Sequence, residues 1–103
     1  MLVAAPGPPS YVRVKAISTS AVLVTWKVPQ LSNGMITGYK IAYSDDNKLP
    51  VNQWSSQSAT GLSDQIRNLV KNQRYWFKVA AKTFRFGQYT DEVSVTTLRY
   101  DCK

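Results

Sequence analysis

The sequence predicts an all-β fold, a two-sheet sandwich of seven short strands, on three observations. Its apolar residues recur with a period of two, no helical face of useful length interrupts them, and turn formers break the chain at short intervals. Successive side chains of a strand point to opposite faces, so a period of two marks a strand buried on one side only.

The strands follow in chain order. YVRVKA (11–16) alternates valine with charge, and AVLVTWK (21–27) sets Val22, Val24 and Trp26 on one parity. ITGYKIAY (36–43), NQWSSQS (52–58) and DQIRN (64–68) come next, then the aromatic RYWFKVAAK (74–82) and finally EVSVTT (92–97). β-Branched and aromatic residues, which fit a pleated and half-buried surface, dominate most of them. Between them stand Pro8-Pro9, Pro29, Asn33-Gly34, Asp45-Asp46-Asn47, Gly61 and Gly87, each a turn former. No internal repeat or low-complexity tract is visible.

Parity assigns the core. Val12, Val14, Val22, Val24, Trp26, Ile36, Tyr39, Ile41, Tyr43, Ile66, Leu69, Tyr75, Phe77, Val79, Ala81, Val93 and Val95 are expected to face inward, and the opposite parity to face water. Trp26, flanked by valines at even spacing, is the central core aromatic. Tyr75 opens a strand six residues after Leu69 and reads as a tyrosine corner, its hydroxyl bonding back to nearby backbone. Trp54 reads as a cover for a sheet edge, where Pro50 blocks unwanted pairing.

A chain of 103 residues with 44% hydrophobic composition fits one compact domain. Residues 1–6 are expected to be a linker lead, 7–98 the domain and 99–103 a C-terminal linker. The longest apolar runs fall far short of the roughly 20 residues of a membrane helix, and MLVAA lacks the basic flank of a signal peptide. No direct membrane insertion is expected, and the isolated domain is expected to be a monomer. The lone Cys102 has no internal disulfide partner and reads as a tail thiol.

The residues for catalysis are missing. The chain has no histidine, and Cys102 has no candidate base beside it, so triad chemistry is excluded. The acid pairs Asp45-Asp46 and Asp91-Glu92 read as solvated turn residues. No Cys/His cluster, spaced calcium loop or glycine-rich phosphate loop occurs, so neither a metal nor a cofactor is expected. The chain is read as a non-enzyme.

PPSYVRVKAIS, VLVTWKVP, NGMITGYKIAY, the Leu69 to Tyr75 spacing and YWFKVAAKT together resemble a fibronectin type III domain. More narrowly, ITGYKIAYSDD followed by KLPVNQW is similar to modules of the netrin-receptor group, which includes neogenin and protogenin. The resemblance implies an immunoglobulin-like sandwich, in the family's lettering A-B-E against C′-C-F-G, and an extracellular module of a single-pass membrane receptor. Two departures stand out. Lys71 and Gln73 replace the family's usual Pro and Thr, and Thr83 to Gly87 is shorter by a glycine than the usual F to G loop. No Arg-Gly-Asp tripeptide is present.

Binding remains as the function, and outward parity says where. Arg74, Trp76, Lys78 and Lys82 alternate with core residues on one strand, Lys40 faces the same way, and Arg85 extends that face into the loop between Phe84 and Phe86. Phe84, Arg85, Phe86 and Trp76 are the candidate protein-binding residues, and Lys40, Arg74, Lys78, Lys82 and Arg85 the candidate glycosaminoglycan-binding ones. Trp76 has a second, structural explanation, a ring covered by the stems of Lys40 and Lys78. Arg13, Lys15, Lys27 and Arg67 form a second basic group with only Tyr11 beside it, which reads as solvation.

Thirteen Lys and Arg against six Asp and Glu give a net charge of +7, a surface that attracts polyanions. Nucleic acid is rejected because its single-strand readers use other β folds. The expected partners are a protein ligand or adjacent modules, with heparan sulfate as a candidate co-ligand and no N-glycosylation sequon to obstruct either sheet. The alternatives are a passive spacer module and an engineered binding scaffold.

Overall fold

The alternation seen in the sequence becomes two antiparallel sheets in the computed structural model, which describes residues 6–31, 34–83 and 85–100. The expectations for 1–5, Asn33, Phe84 and Cys102 lie outside the described residues. The smaller sheet orders β1 (Ser10–Ala16), β2 (Val22–Lys27) and β5 (Ser63–Ile66) as β1-β2-β5. The larger orders β4 (Ser55–Ala59), β3 (Gly38–Ser44) and β6 (Arg74–Lys82), with β7 (Phe86–Tyr89) and β8 (Val93–Thr96) both on the far side of β6. This is the A-B-E against C′-C-F-G arrangement implied by the resemblance.

All seventeen residues assigned inward by parity lie in the core cluster or pack against it. Phe77, Ile41, Ile66, Val22, Val24 and Val79 are its fully buried heart. Trp26 packs on Tyr39 at 5.3 Å between ring centroids with a 57° tilt, and Tyr43 stacks on Phe77 at 6.4 Å. Burial pushes the Tyr39 phenol above its ordinary ionisation range.

Three local expectations are corrected. The final strand is in two pieces, so the described residues hold eight strand segments where seven were expected. Phe86–Tyr89, read as part of a turn, pairs with β6 through Lys82↔Phe86 and Ala80↔Tyr89 with a register shift between them. Continuing that register would set Phe77 opposite Glu92, but Phe77 faces Val93, so another residue has been inserted. Thr90 bridges the break: its N–H donates to the Val79 carbonyl at 2.9 Å, and its hydroxyl accepts from the Val79 N–H at 3.0 Å.

The other two corrections concern strand limits. Asn52 and Gln53 belong to a 3-10 turn (Val51–Gln53), and the strand after it starts at Ser55. Arg67 and Asn68 lie beyond β5, where Asn68 turns the chain at a φ of 65°.

The corner between β5 and β6 is closed without the family's Pro and Thr. Tyr75 Oη accepts the Val70 N–H at 2.9 Å. Thr97, buried just past the end of β8, donates its hydroxyl to the Val70 carbonyl at 2.6 Å and accepts the Gln73 N–H at 3.0 Å. Asn72, left-handed at φ 53°, completes the turn and donates its N–H to the Leu98 carbonyl at 3.0 Å. At the opposite end of the sandwich, Pro6 is fully buried beside Gly87 of β7.

Candidate binding face

The outer face of the larger sheet carries a second layer of side chains, built by pairing register. On β6 the buried parity of Tyr75, Phe77 and Val79 leaves Arg74, Trp76, Lys78 and Lys82 pointing outward. Lys40 lies opposite Ala80, which lies opposite Tyr89. The Lys40 stem therefore runs over Ala80, and its ammonium rests 4.3 Å from the Phe86 ring centroid and 5.8 Å from that of Tyr89. Lys82, paired directly with Phe86, places its own ammonium 5.2 Å from the same ring.

A second row mirrors the first. Lys78 lies opposite Ala42, which lies opposite Ser56 on β4, so two small residues leave its stem a clear path to the Trp54 ring, reached at 5.3 Å. Trp54 is 8% exposed and donates Nε1–H to the Leu49 carbonyl at 3.0 Å, which fixes the ring just before β4 within reach of Lys78. Ala42 and Ala80, assigned to solvent by parity, are 1% and 0% exposed. Their burial follows from the long side chains that cross above them.

The alternative explanation of Trp76, a cover by Lys40 and Lys78, is overturned by this arrangement. Both lysines reach other rings, and the half-buried Trp76 has the Arg74 guanidinium 5.7 Å from its centroid. Four cations of the face thus each lie over an aromatic ring, an electrostatic attraction that desolvation strengthens. The described acids lie elsewhere: Asp64 is on β5 of the other sheet, and Asp45, Asp46, Asp91 and Glu92 are in loops.

Not every candidate residue joins this layer. Phe86 does, 38% exposed on β7. Arg85 is exposed in the turn before it, where the buried Thr83 N–H donates to the Arg85 carbonyl at 3.1 Å and the Thr37 hydroxyl donates to the Thr83 carbonyl at 2.7 Å. Phe84 lies outside the described residues. Tyr89 and Trp54 belong to the layer but were not candidates. Tyr89 lies just past Gly87, read as a turn former, and Trp54, two residues before Ser56 on the same parity, was read as an edge cover.

The second basic group lies on the smaller sheet and at its margin. Arg13 and Lys15 are exposed on β1, Lys27 sits 5.9 Å from the Tyr11 ring, and Arg67 donates Nε–H and Nη2–H to Gln65 Oε1 at 3.2 and 2.9 Å. Among the described residues no three His, Cys, Asp or Glu side chains gather to hold a metal ion, and no helix is long and apolar enough to cross a membrane.

Comparison with known proteins matches this architecture to a family. The fibronectin type III domain model matches residues 7–96. Mouse netrin receptor DCC is 31% identical over 84 residues, which is 79% of this chain and 6% of that protein. Human receptor-type tyrosine-protein phosphatase F is 32% identical over 77 residues, 74% of this chain and 4% of that protein. The chain thus spans under a tenth of the length of either relative, and in the phosphatase the matched stretch is a module of this same kind. The crystal structure of the FN5 domain of Drosophila Lar superposes with a TM-score of 0.74 at 25% identity, over 90% of this chain and 97% of that one.

Proposed function

The chain belongs to the fibronectin type III family, and from that premise we propose that it is a non-catalytic extracellular interaction module of a cell-surface receptor, which grips an anionic partner with the outer face of its larger sheet. The partner is a protein ligand or a neighbouring module, with heparan sulfate as co-ligand. The observation that carries this reading is the layer of four ring-stacked cations, Lys40, Arg74, Lys78 and Lys82, on strands that hold no carboxylate. A cation held over a ring loses less side-chain freedom on meeting an anion, and its ring adds apolar area to the contact. Arg85, Phe86 and Trp76 extend the face toward a protein.

The test is retention on a heparin column together with binding to a netrin, the ligand class in the name of one relative. Lys78→Glu with Lys82→Glu should lower both the eluting salt concentration and netrin affinity, whereas Arg13→Glu with Lys15→Glu should move them little. Loss of retention from the second pair and not the first would put the anion site on the other sheet.

A further inference from the structure

The edge strands of a sheet offer an outward row of backbone N–H and C=O groups that pairs with any extended chain unless something blocks it. This sandwich has four such edges, and three are obstructed. β1 carries a bulge between Ser10 and Arg13, with Tyr11 left-handed at φ 54° and the charges of Arg13 and Lys15 along it. On β5 the Gln65 carbonyl already accepts Gln57 Nε2–H at 3.0 Å, and Asp64 adds a charge. The β7–β8 edge is broken by its inserted residue and crossed by Pro6 at Gly87.

β4 has none of these devices within it: Pro50 and Trp54, expected to guard this edge, both precede the strand. Ser55–Ala59 pairs with β3 over five consecutive residues without a register shift, contains no charge and no proline, and exposes Ser55, Ser56 and Ser58. We infer that β4 is a strand-addition site for an extended segment of another protein that carries carboxylates at alternate positions.

The charge preference follows from what stands behind the edge. Ser56 and Ser58 share the outer face with Lys40 and Lys78, and they are small enough to let a neighbouring side chain lean over them. Lys78 stretches back toward β4, its ammonium 5.3 Å from the ring of Trp54, the residue just before that strand. A strand added about 4.8 Å beyond β4 places every second side chain on this face, where a carboxylate meets that ammonium. A second copy of the chain fits poorly, because two edges joined face to face would set two +7 molecules and their lysine rows side by side. The inference stands apart from the heparan sulfate reading, since it requires the backbone of β4 and not only its cationic neighbours.

The test titrates a capped eight-residue peptide of alternating Glu and Val into the isotopically labelled chain. Amide shifts should concentrate at residues 55–59, with slowed hydrogen exchange at the outward β4 amides. N-methylation of alternate peptide nitrogens, and separately Lys in place of Glu, should each weaken binding at least tenfold. Successive β4 amides alternate between β3 and solvent, so one of Gln57→Pro and Ser58→Pro removes an outward donor, and the variant that melts like the parent chain should lose the peptide. Equal binding of the methylated peptide would overturn strand addition in favour of charge alone. Dimerisation in sedimentation with β4 amides protected without peptide would identify a second copy as the occupant, and absence of binding would overturn the inference outright.

Discussion

The Lys40 ammonium lies over the Phe86 ring although its backbone belongs to β3 and Phe86 to β7, with β6 between them. The contact exists because the intervening residue is Ala80, and a longer side chain there would block the path. A double-mutant cycle of Lys40→Met and Phe86→Leu keeps most of the apolar packing and removes the charge and the ring. Its coupling energy should be about 0.5–1 kcal/mol, the range for a partly exposed cation over a ring, read from denaturant melts. A coupling near zero would mean that the ammonium is solvated and the ring contact incidental.

Two tryptophans should differ sharply in their worth to stability. Trp26 is 3% exposed and packs on Tyr39 in the core, so Trp26→Ala should cost about 3–5 kcal/mol by leaving a cavity. Trp76 lies on the outer face with Arg74, and Trp76→Ala should cost under about 1 kcal/mol. Equal midpoint shifts in urea for the two variants would show that Trp76 contributes to the core.

The corner of the sandwich rests on two hydroxyls. Tyr75→Phe removes the acceptor of the Val70 N–H and should cost about 1–2 kcal/mol. Thr97→Val keeps the shape but leaves the Val70 carbonyl and the Gln73 N–H without their hydroxyl partner, so its cost should be the larger, about 2 kcal/mol or more. Thermal melts of the two variants compare them directly, and the reverse order would make the tyrosine the main lock.

Alkaline pH should weaken the fold through Tyr39. Burial raises its folded-state pKa above that of the unfolded chain, so the unfolded form gives up the proton first as pH rises. The contribution is fully present below the ordinary tyrosine pKa of about 10 and is lost as pH climbs through the raised folded value. Urea midpoints between pH 8 and 11 should fall at the alkaline end, and Tyr39→Phe should flatten that fall. An unchanged slope in the variant would assign the alkaline loss to another group.

Most of the core was legible because each strand is buried on one face, and a period of two is then the only pattern that keeps Val22, Val24 and Trp26, or Tyr75, Phe77 and Val79, together. The last strand was not, because Phe86–Tyr89 holds a glycine and its pairing is carried past the break by Thr90, a tertiary contact with no local signature. The outer face was half legible. Parity gathers Lys40, Arg74, Trp76, Lys78 and Lys82, but the ring that each cation meets depends on Ala42 and Ala80 beneath and on Trp54 and Tyr89 arriving from elsewhere in the chain.

Gly87 likewise owes its place to a tertiary contact. It was read as a turn former, yet it sits inside β7, where the Pro6 backbone passes so close that a Cβ would overlap the Pro6 carbonyl oxygen and lie 2.8 Å from its carbonyl carbon. Glycine is needed there for close approach of two backbones, and the obstacle is main chain that cannot rotate aside. Gly87→Ala should therefore push the buried Pro6 off β7 and cost about 1–3 kcal/mol. A shortened chain that starts at Gly7 provides the control. Without Pro6 the added methyl meets no main chain from the lead, and alanine restricts the unfolded state more than glycine does, so the same substitution should be neutral or stabilising by a few tenths of a kcal/mol. The non-additivity between truncation and substitution measures the contact itself. If Gly87→Ala costs as much in the shortened chain as in the full one, the glycine serves β7 alone and the lead is not part of the packed domain.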